Sequence, residues 1–266
     1  MNIDTSGLIY FSPTQGTKKI VEAIADGINS KSSQTYDLTY PPDAARGSKK
    51  CECDLAVIGA PVYAGRLPGT MTSRFELIKG DSTPAVIVVV YGNRAYEDAL
   101  LELNDLAVNA GFIPVASAAF SAEHSFATDE FPVAMGRPDQ EDLNKAKAFG
   151  KTVREKAAAI SDPREIVSPK PPGNSPYKEQ RIFAGITPSV DESLCTKCMT
   201  CVSLCPTAAI SEDDPLAIET DLCIRCCACI KSCPTEARTM THPKIRQIAE
   251  FLSKNHNDRK EPEMYL

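Results

Sequence analysis

The sequence predicts an α/β fold, a parallel sheet with helices on both faces, followed by a small α+β domain. Three observations carry that expectation. Strand-like apolar runs alternate with helix-like patterns five times between residues 1 and 160, as a parallel sheet requires. The run Val86-Ile87-Val88-Val89-Val90 does not alternate, so it suits a strand covered on both faces. Nine of the eleven cysteines fall between Cys195 and Cys233, which sets that stretch apart from the rest of the chain.

The first strand is expected at 7–11, opening with Gly7-Leu8-Ile9-Tyr10, and the helix after it carries Ile20, Val21, Ile24 and Ile28. A weaker strand follows at 34–38, then strands at 54–60, 84–91 and 112–120. Ala99, Leu100, Leu103, Leu106 and Ala107 share one face of the helix after the fourth strand. Leu143, Ala146, Gly150, Val153, Ala157 and Ile160 make a stripe on the last helix of this part. Residues 1–161 are therefore read as one domain. Six prolines between 162 and 192 and little periodicity mark 162–186 as a linker, extended in parts. The apolar stretch 181–186 within it is a candidate to dock on one of the domains. The cysteine-rich domain is placed at 187–242, and 243–266 is a C-terminal helix with a frayed tail.

A chain of 266 residues suits one medium domain plus a small one. A net charge of −6 gives no encouragement to nucleic-acid or anionic-membrane binding. No apolar run approaches the roughly 20 residues that span a bilayer, and the N-terminal stretch does not read as a signal peptide. The expected compartment is the cytosol, where clustered cysteines argue for metal ligation over disulfides.

Residues 190–210 superpose on 218–238 at a constant offset of 28, with all four pairs of cysteines matched. Each repeat reads Cys-x2-Cys-x2-Cys-x3-Cys-Pro: Cys195, Cys198, Cys201 and Cys205, then Cys223, Cys226, Cys229 and Cys233. Zinc sites show paired Cys-x2-Cys halves with a longer insert, whereas here a third cysteine follows at once and wraps one corner of a cubane. The segment resembles a bacterial-type ferredoxin with two [4Fe–4S] clusters. The resemblance implies low-potential, one-electron transfer and crossed ligand sets, Cys195, Cys198 and Cys201 with Cys233, and Cys223, Cys226 and Cys229 with Cys205. Two such clusters would add about −4 to the charge of the apo chain. Cys227 is off the spacing and reads as a small buried side chain, while Cys51 and Cys53 are expected to have no metal role.

The stretch FSPTQGTKKI, residues 11–20, joins the first strand to its helix. A helix N-terminus binds anions through its unpaired N–H groups, and Ser12, Thr14 and Thr17 add hydroxyl donors. Neither a Walker loop nor a G-x-G-x-x-G dinucleotide fingerprint is present. Ser12-Pro13-Thr14-Gln15-Gly16-Thr17 resembles the flavodoxin phosphate loop, with Gln15 where that family has glycine. The loops at 60–66 and 91–96 follow the third and fourth strands, on the edge where such sheets bind ligands. Both bring glycine and tyrosine and resemble flavodoxin ring-binding loops.

Almost the whole chain thus resembles the flavodoxin–ferredoxin fusion proteins of anaerobic microbes. That resemblance implies a flavodoxin-like five-stranded sheet of order 2-1-3-4-5 and bound FMN. Carried over position by position, Ser12, Thr14, Gln15, Gly16 and Thr17 would hold the phosphate; Pro61, Val62, Tyr63, Ala64 and Gly65 would flank one side of the ring, with Tyr91, Gly92, Asn93, Arg94 and Tyr96 on the other. His124, after the fifth strand, is a candidate proton donor or a residue that fixes its loop.

The implied function is electron relay between clusters and FMN. The enzyme reading ends on a small-molecule substrate, the carrier reading on a low-potential redox protein, and a third reading is a metal-stabilised interaction module without flavin. The sequence leaves open whether a homo-oligomer forms and whether the flavin is served by its own chain's clusters.

Overall fold

The structure, a computed structural model, describes residues 2–41, 49–160, 162, 166–180 and 184–266. The first strand is β1 (Thr5–Tyr10) and its helix α1 (Gly16–Ile28), which buries the predicted Ile20, Val21, Ile24 and Ile28. β2 (Ser32–Asp37) is mostly exposed, which explains its weak apolar signal. β4 (Leu55–Pro61), β6 (Thr83–Tyr91) and β7 (Phe112–Ser121) supply the remaining parallel strands. Between them come β3 (Lys49–Lys50), α2 (Gly69–Phe75), β5 (Ile78–Lys79) and α3 (Ala99–Asn109). The two-residue β3 and β5 pair with each other and lie below what periodicity can reveal.

The five parallel strands run β7-β6-β4-β1-β2 across the sheet, the 2-1-3-4-5 order expected of a flavodoxin-like fold. One apolar layer joins the sheet to α2 and α3, the other to α1 and α4 (Gln140–Ala158). Helices α1 and α4 cross closely because two glycines face the opposite backbones. A Cβ at Gly27 would lie 2.0 Å from the Lys147 carbonyl oxygen, and one at Gly150 would lie 2.1 Å from that of Ile24.

Two expectations about the second half change. The segment 166–180 is pinned to the α/β domain. The Asp98 carboxylate accepts from the backbone N–H of Asn174 and Lys178, each at 2.8 Å, and Gln180 Nε2 donates to the Tyr63 carbonyl at 2.9 Å. Arg66 also sits over the Tyr177 ring, 4.7 Å from its centroid. Of the apolar stretch 181–186, residues 181–183 lie outside the described residues, while Ile186 is buried.

The C-terminal tail is not frayed. After β8 (Ser189–Val190), α5 (Thr200–Ser203), α6 (Ala228–Lys231) and β9 (Arg238–Thr239), helix α7 (Pro243–Asn255) leads to β10 (Glu263–Tyr265). β10 pairs antiparallel with β7, Met264 opposite Ala118, and covers what would be an open sheet edge. Leu252 of α7 packs with Ala127 and Val133 of the loop after β7.

Candidate functional site

Phe11 ends the β1 run, and the chain turns into α1 through Ser12–Gln15. Ser12 is buried, receives a hydrogen bond on Oγ from the Lys18 N–H at 3.0 Å, and donates its own N–H to Thr39 Oγ1 at 2.9 Å. Gln15 caps α1 with φ 67°, in the left-handed region. That conformation is free for glycine and strained for a side chain, so the departure from the flavodoxin pattern falls at a position whose backbone favours glycine. Thr14 and Gln15 are exposed, and Gly16 is partly so. Thr17 is buried, its methyl facing Gly59. No acidic residue occupies the first turn of α1, so nothing opposes an anion at the first N–H groups. The loop fits a phosphate. Replacing Gln15 with glycine is expected to stabilise the fold by about 1 kcal/mol without weakening FMN binding; chemical unfolding and a flavin titration check both.

The two ring loops are tied to each other. Tyr63 and Arg66 exchange backbone hydrogen bonds around Ala64 and Gly65, and the Asp98 N–H donates to the Gly65 carbonyl at 3.1 Å. Gly65 has φ 82°, and a Cβ on it would strike the Glu97 carboxylate. Pro61, Val62, Tyr63 and Ala64 are partly buried. Burial, with the nearby Cys226, Cys227 and Cys223 sulfurs, holds the Tyr63 phenol well above its usual range.

The second loop differs from expectation in what its side chains face. Tyr91 is 4% exposed and packs edge-on against Tyr96, whose hydroxyl meets Glu263 at 2.7 Å and Tyr265 at 2.9 Å. Asn93 is fully buried; its amide donates to the carbonyls of His256 and Asp258 at 2.7 and 2.8 Å, and Ser121 Oγ donates to its oxygen at 2.6 Å. The side chains of Asn93 and Tyr96 therefore fasten the C-terminal tail, Tyr91 is buried against Tyr96, and none of the three is free to stack on a ring. Gly92 and Arg94 remain partly exposed, Arg94 paired with Glu97.

His124 also reads differently. Its ring lies over Gly92, where a Cβ would sit 2.3 Å from Cδ2, and its Nδ1 accepts from the Phe126 N–H at 3.0 Å. Burial, reinforced by Lys231 and Arg94, lowers its pKa to about 4. The imidazole is neutral near pH 7 and holds its loop; it has no ring proton to spare as an imidazolium acid. The unfolded chain binds the extra proton between about pH 6.5 and 4, so stability falls as pH drops through that window. Thermal unfolding at pH 7 and pH 5 is expected to show a loss that is smaller in His124→Gln.

The cysteines ring two cavities. One is lined by Cys205, Cys223, Cys226, Cys227 and Cys229, the other by Cys195, Cys198, Cys201 and Cys233. The first joins Cys205 to the triad of the second repeat, and the second joins Cys233 to the triad of the first. The backbone repeats as well. Left-handed residues stand at Lys197, Met199 and Ala208 and again, 28 positions on, at Arg225, Cys227 and Glu236. Such turns aim backbone N–H groups inward, and the Ala209 N–H donates to Cys205 Sγ at 3.2 Å. Among the described residues no three Cys, His, Asp or Glu side chains converge as a single metal ion requires. Burial pushes the Cys226 and Cys229 thiols up to about 12, so thiolates there need the positive charge of bound iron.

Arg238 completes the fit, and sequence reasoning passed over it. It is 3% exposed, lines the second cavity, lies close enough to Cys223 and Cys229 to favour their thiolates, and leaves Nη1 without a partner. A buried, unpaired guanidinium N–H suits an anionic cluster. The one signal was a cation where the first repeat has Ile210. Cys227, 2% exposed, takes the place of Met199 and caps α6.

The first cavity faces the α/β domain. Ile224 packs into the core layer of α2 and α3, Cys226 lies near Tyr40, and Arg74 donates to the Pro206 carbonyl at 2.6 Å. Lys231 bridges to Glu123 and to the Ala127 carbonyl. The turn Cys223–Cys227 is thus held against the α/β domain through Ile224, with its sulfurs near enough to Tyr63 to influence the phenol. In the other cavity Cys198 is exposed.

Comparison with known proteins places two 4Fe-4S binding domains at residues 188–211 and 216–239. No curated protein matches the chain. Solved structures similar to it include a flavodoxin from the domain Archaea, at 16% identity over 58% of this chain and 99% of that one, with a TM-score of 0.39. A Fusobacterium nucleatum flavodoxin bound to flavin mononucleotide is 16% identical over 57% of this chain and 97% of its own, with a TM-score of 0.39. A rubredoxin oxygen:oxidoreductase from Desulfovibrio gigas is 12% identical over 59% of this chain and 36% of its own, with a TM-score of 0.39. The fold assignment rests on the strand order. No helix among the described residues is long and apolar enough to cross a membrane.

Proposed function

We propose that this chain, with its flavodoxin-like sheet and two 4Fe-4S binding domains, is an iron–sulfur flavoprotein that relays electrons between the clusters and FMN, to reduce a small-molecule substrate or a redox partner. When bound, the clusters supply one-electron transfer and the flavin stores two electrons. The observation that carries the reading is the packing of Ile224, in the Cys223–Cys227 turn, into the core layer of α2 and α3, with Arg74 bonded to the Pro206 carbonyl beside it. It brings one cysteine cavity against the α/β domain.

In this reading Cys223, Cys226, Cys229 and Cys205 hold the inner cluster, and Cys195, Cys198, Cys201 and Cys233 the outer one. Exposed Lys197 and Cys198 mark the outer side as the face an external donor meets. Ser12, Thr14, Gln15, Gly16 and Thr17 hold the phosphate, Pro61 to Gly65 line the ring on one side, and Gly92 and Arg94 approach it from the other. Asn93 and Tyr96 act indirectly, by fastening the tail that shapes this loop, and Tyr91 by packing against Tyr96. His124 positions Gly92.

Flavin fluorescence tests the site. Titrating anaerobic protein with FMN is expected to quench it to a 1:1 end point, with riboflavin, which lacks the phosphate, bound at least tenfold more weakly. Absence of FMN uptake would favour the interaction module, and equal affinity for riboflavin would remove the phosphate role of Ser12–Thr17.

A further inference from the structure

The cysteine-rich domain does not account for every thiol. Cys51 and Cys53 lie just before β4, at the amino end of the sheet. Period-two alternation turns both inward and Glu52 outward. Their Sγ atoms are 3.1 Å apart, about an ångström beyond a covalent S–S bond. Both flanks are fixed. The Cys51 N–H donates to the Lys79 carbonyl at 2.8 Å, and Asp54 binds the N–H groups of Asp4 and Thr5 through one carboxylate oxygen at 2.9 and 2.8 Å. Gly7 of β1 leaves the room: a Cβ there would lie 2.6 Å from Cys51 Sγ and 2.8 Å from Cys53 Sγ.

We propose that Cys51 and Cys53 form a reversible dithiol–disulfide pair, a two-electron redox site separate from the cluster ligands. The oxidant is a disulfide, of a small thiol or of a protein. Cys53, the more exposed of the two, attacks one sulfur of that disulfide and expels the first thiol, which takes the Cys53 proton. Cys51 Sγ then attacks Cys53 Sγ and expels the second thiol with the second proton. Two electrons pass from the cysteine pair to the external disulfide, which ends as two thiols.

The test uses the full-length protein with its clusters, equilibrated anaerobically with mixtures of glutathione and glutathione disulfide, then acid-quenched, unfolded, alkylated and digested with trypsin. Cleavage after Lys50 and Arg66 gives a peptide whose only cysteines are Cys51 and Cys53. As the disulfide fraction rises, this peptide is expected to pass from doubly alkylated to an unalkylated form two hydrogens lighter, reversed by dithiothreitol, at constant iron content. In Cys51→Ser a glutathione adduct is expected to persist on Cys53. A peptide that stays doubly alkylated in every mixture overturns the proposal. So does a glutathione adduct that accumulates equally in the native protein and in Cys51→Ser, because Cys51 would then resolve nothing.

Discussion

Cys226→Ser will separate the two halves of this protein. Cys226 is 7% exposed and sits where the inner cavity meets Tyr40 and Tyr63. Serine removes the soft thiolate that iron–sulfur clusters need, and burial leaves no water to replace it. Iron is expected to fall from about eight to about four per chain, with FMN still bound. Reduction of the flavin by an external low-potential donor is expected to slow by about tenfold or more, because the remaining outer cluster does not face the flavin edge. The matching change at the exposed Cys198 should damage the outer set and leave the inner cluster able to exchange with FMN. Iron analysis with stopped-flow absorbance reads both. Equal flavin reduction in the native protein and in Cys226→Ser would remove the inner cluster from the path.

Gly150→Ala is the change expected to cost most in stability. Alanine would gain up to about 1 kcal/mol in helix propensity at an exposed site. Here its Cβ would lie 2.1 Å from the Ile24 carbonyl oxygen and 2.9 Å from that carbonyl carbon. Those are backbone atoms of α1 and cannot rotate away, so α1 and α4 must separate along a contact that also buries Ala146 and Val153. Overpacking of this kind costs about 1–3 kcal/mol; with no flexible neighbour to yield, the upper part of that range applies, a loss of several degrees in melting temperature. The same argument holds for Gly27 against Lys147. An unchanged melting temperature would mean that the helices do not cross there.

Much of this architecture was legible in the sequence because its signals are local. The Val86–Val90 run, the Ile20–Ile28 spacing and the fixed cysteine offset each sit within one element or one repeat. The crossed cysteine groupings came from the resemblance to two-cluster ferredoxins, not from the spacing itself. What stayed hidden depends on partners far along the chain. Asn93 and Tyr96 read as ring-loop residues until the tail, some 160 residues later, takes their side chains. β10 has only three residues, Glu263-Met264-Tyr265, too few to show an alternation, so pairing with β7 creates the strand where periodicity does not. The linker read only as extended in parts because proline masks periodicity, and composition does not reveal that Asp98 binds its backbone N–H groups or that Gln180 reaches the Tyr63 carbonyl. Gln15 is the reverse case. Its departure from glycine was visible, and only the backbone shows that it falls on a left-handed residue.

The most direct test of the central claim is a reductive titration of anaerobically purified protein, with iron, sulfide and flavin quantified on the same sample. The account predicts about eight irons, eight sulfides and one FMN per chain, with the flavin bands bleaching as dithionite fills the clusters. Eight irons without flavin, or flavin bands that stay unchanged while the clusters are reduced, would contradict it.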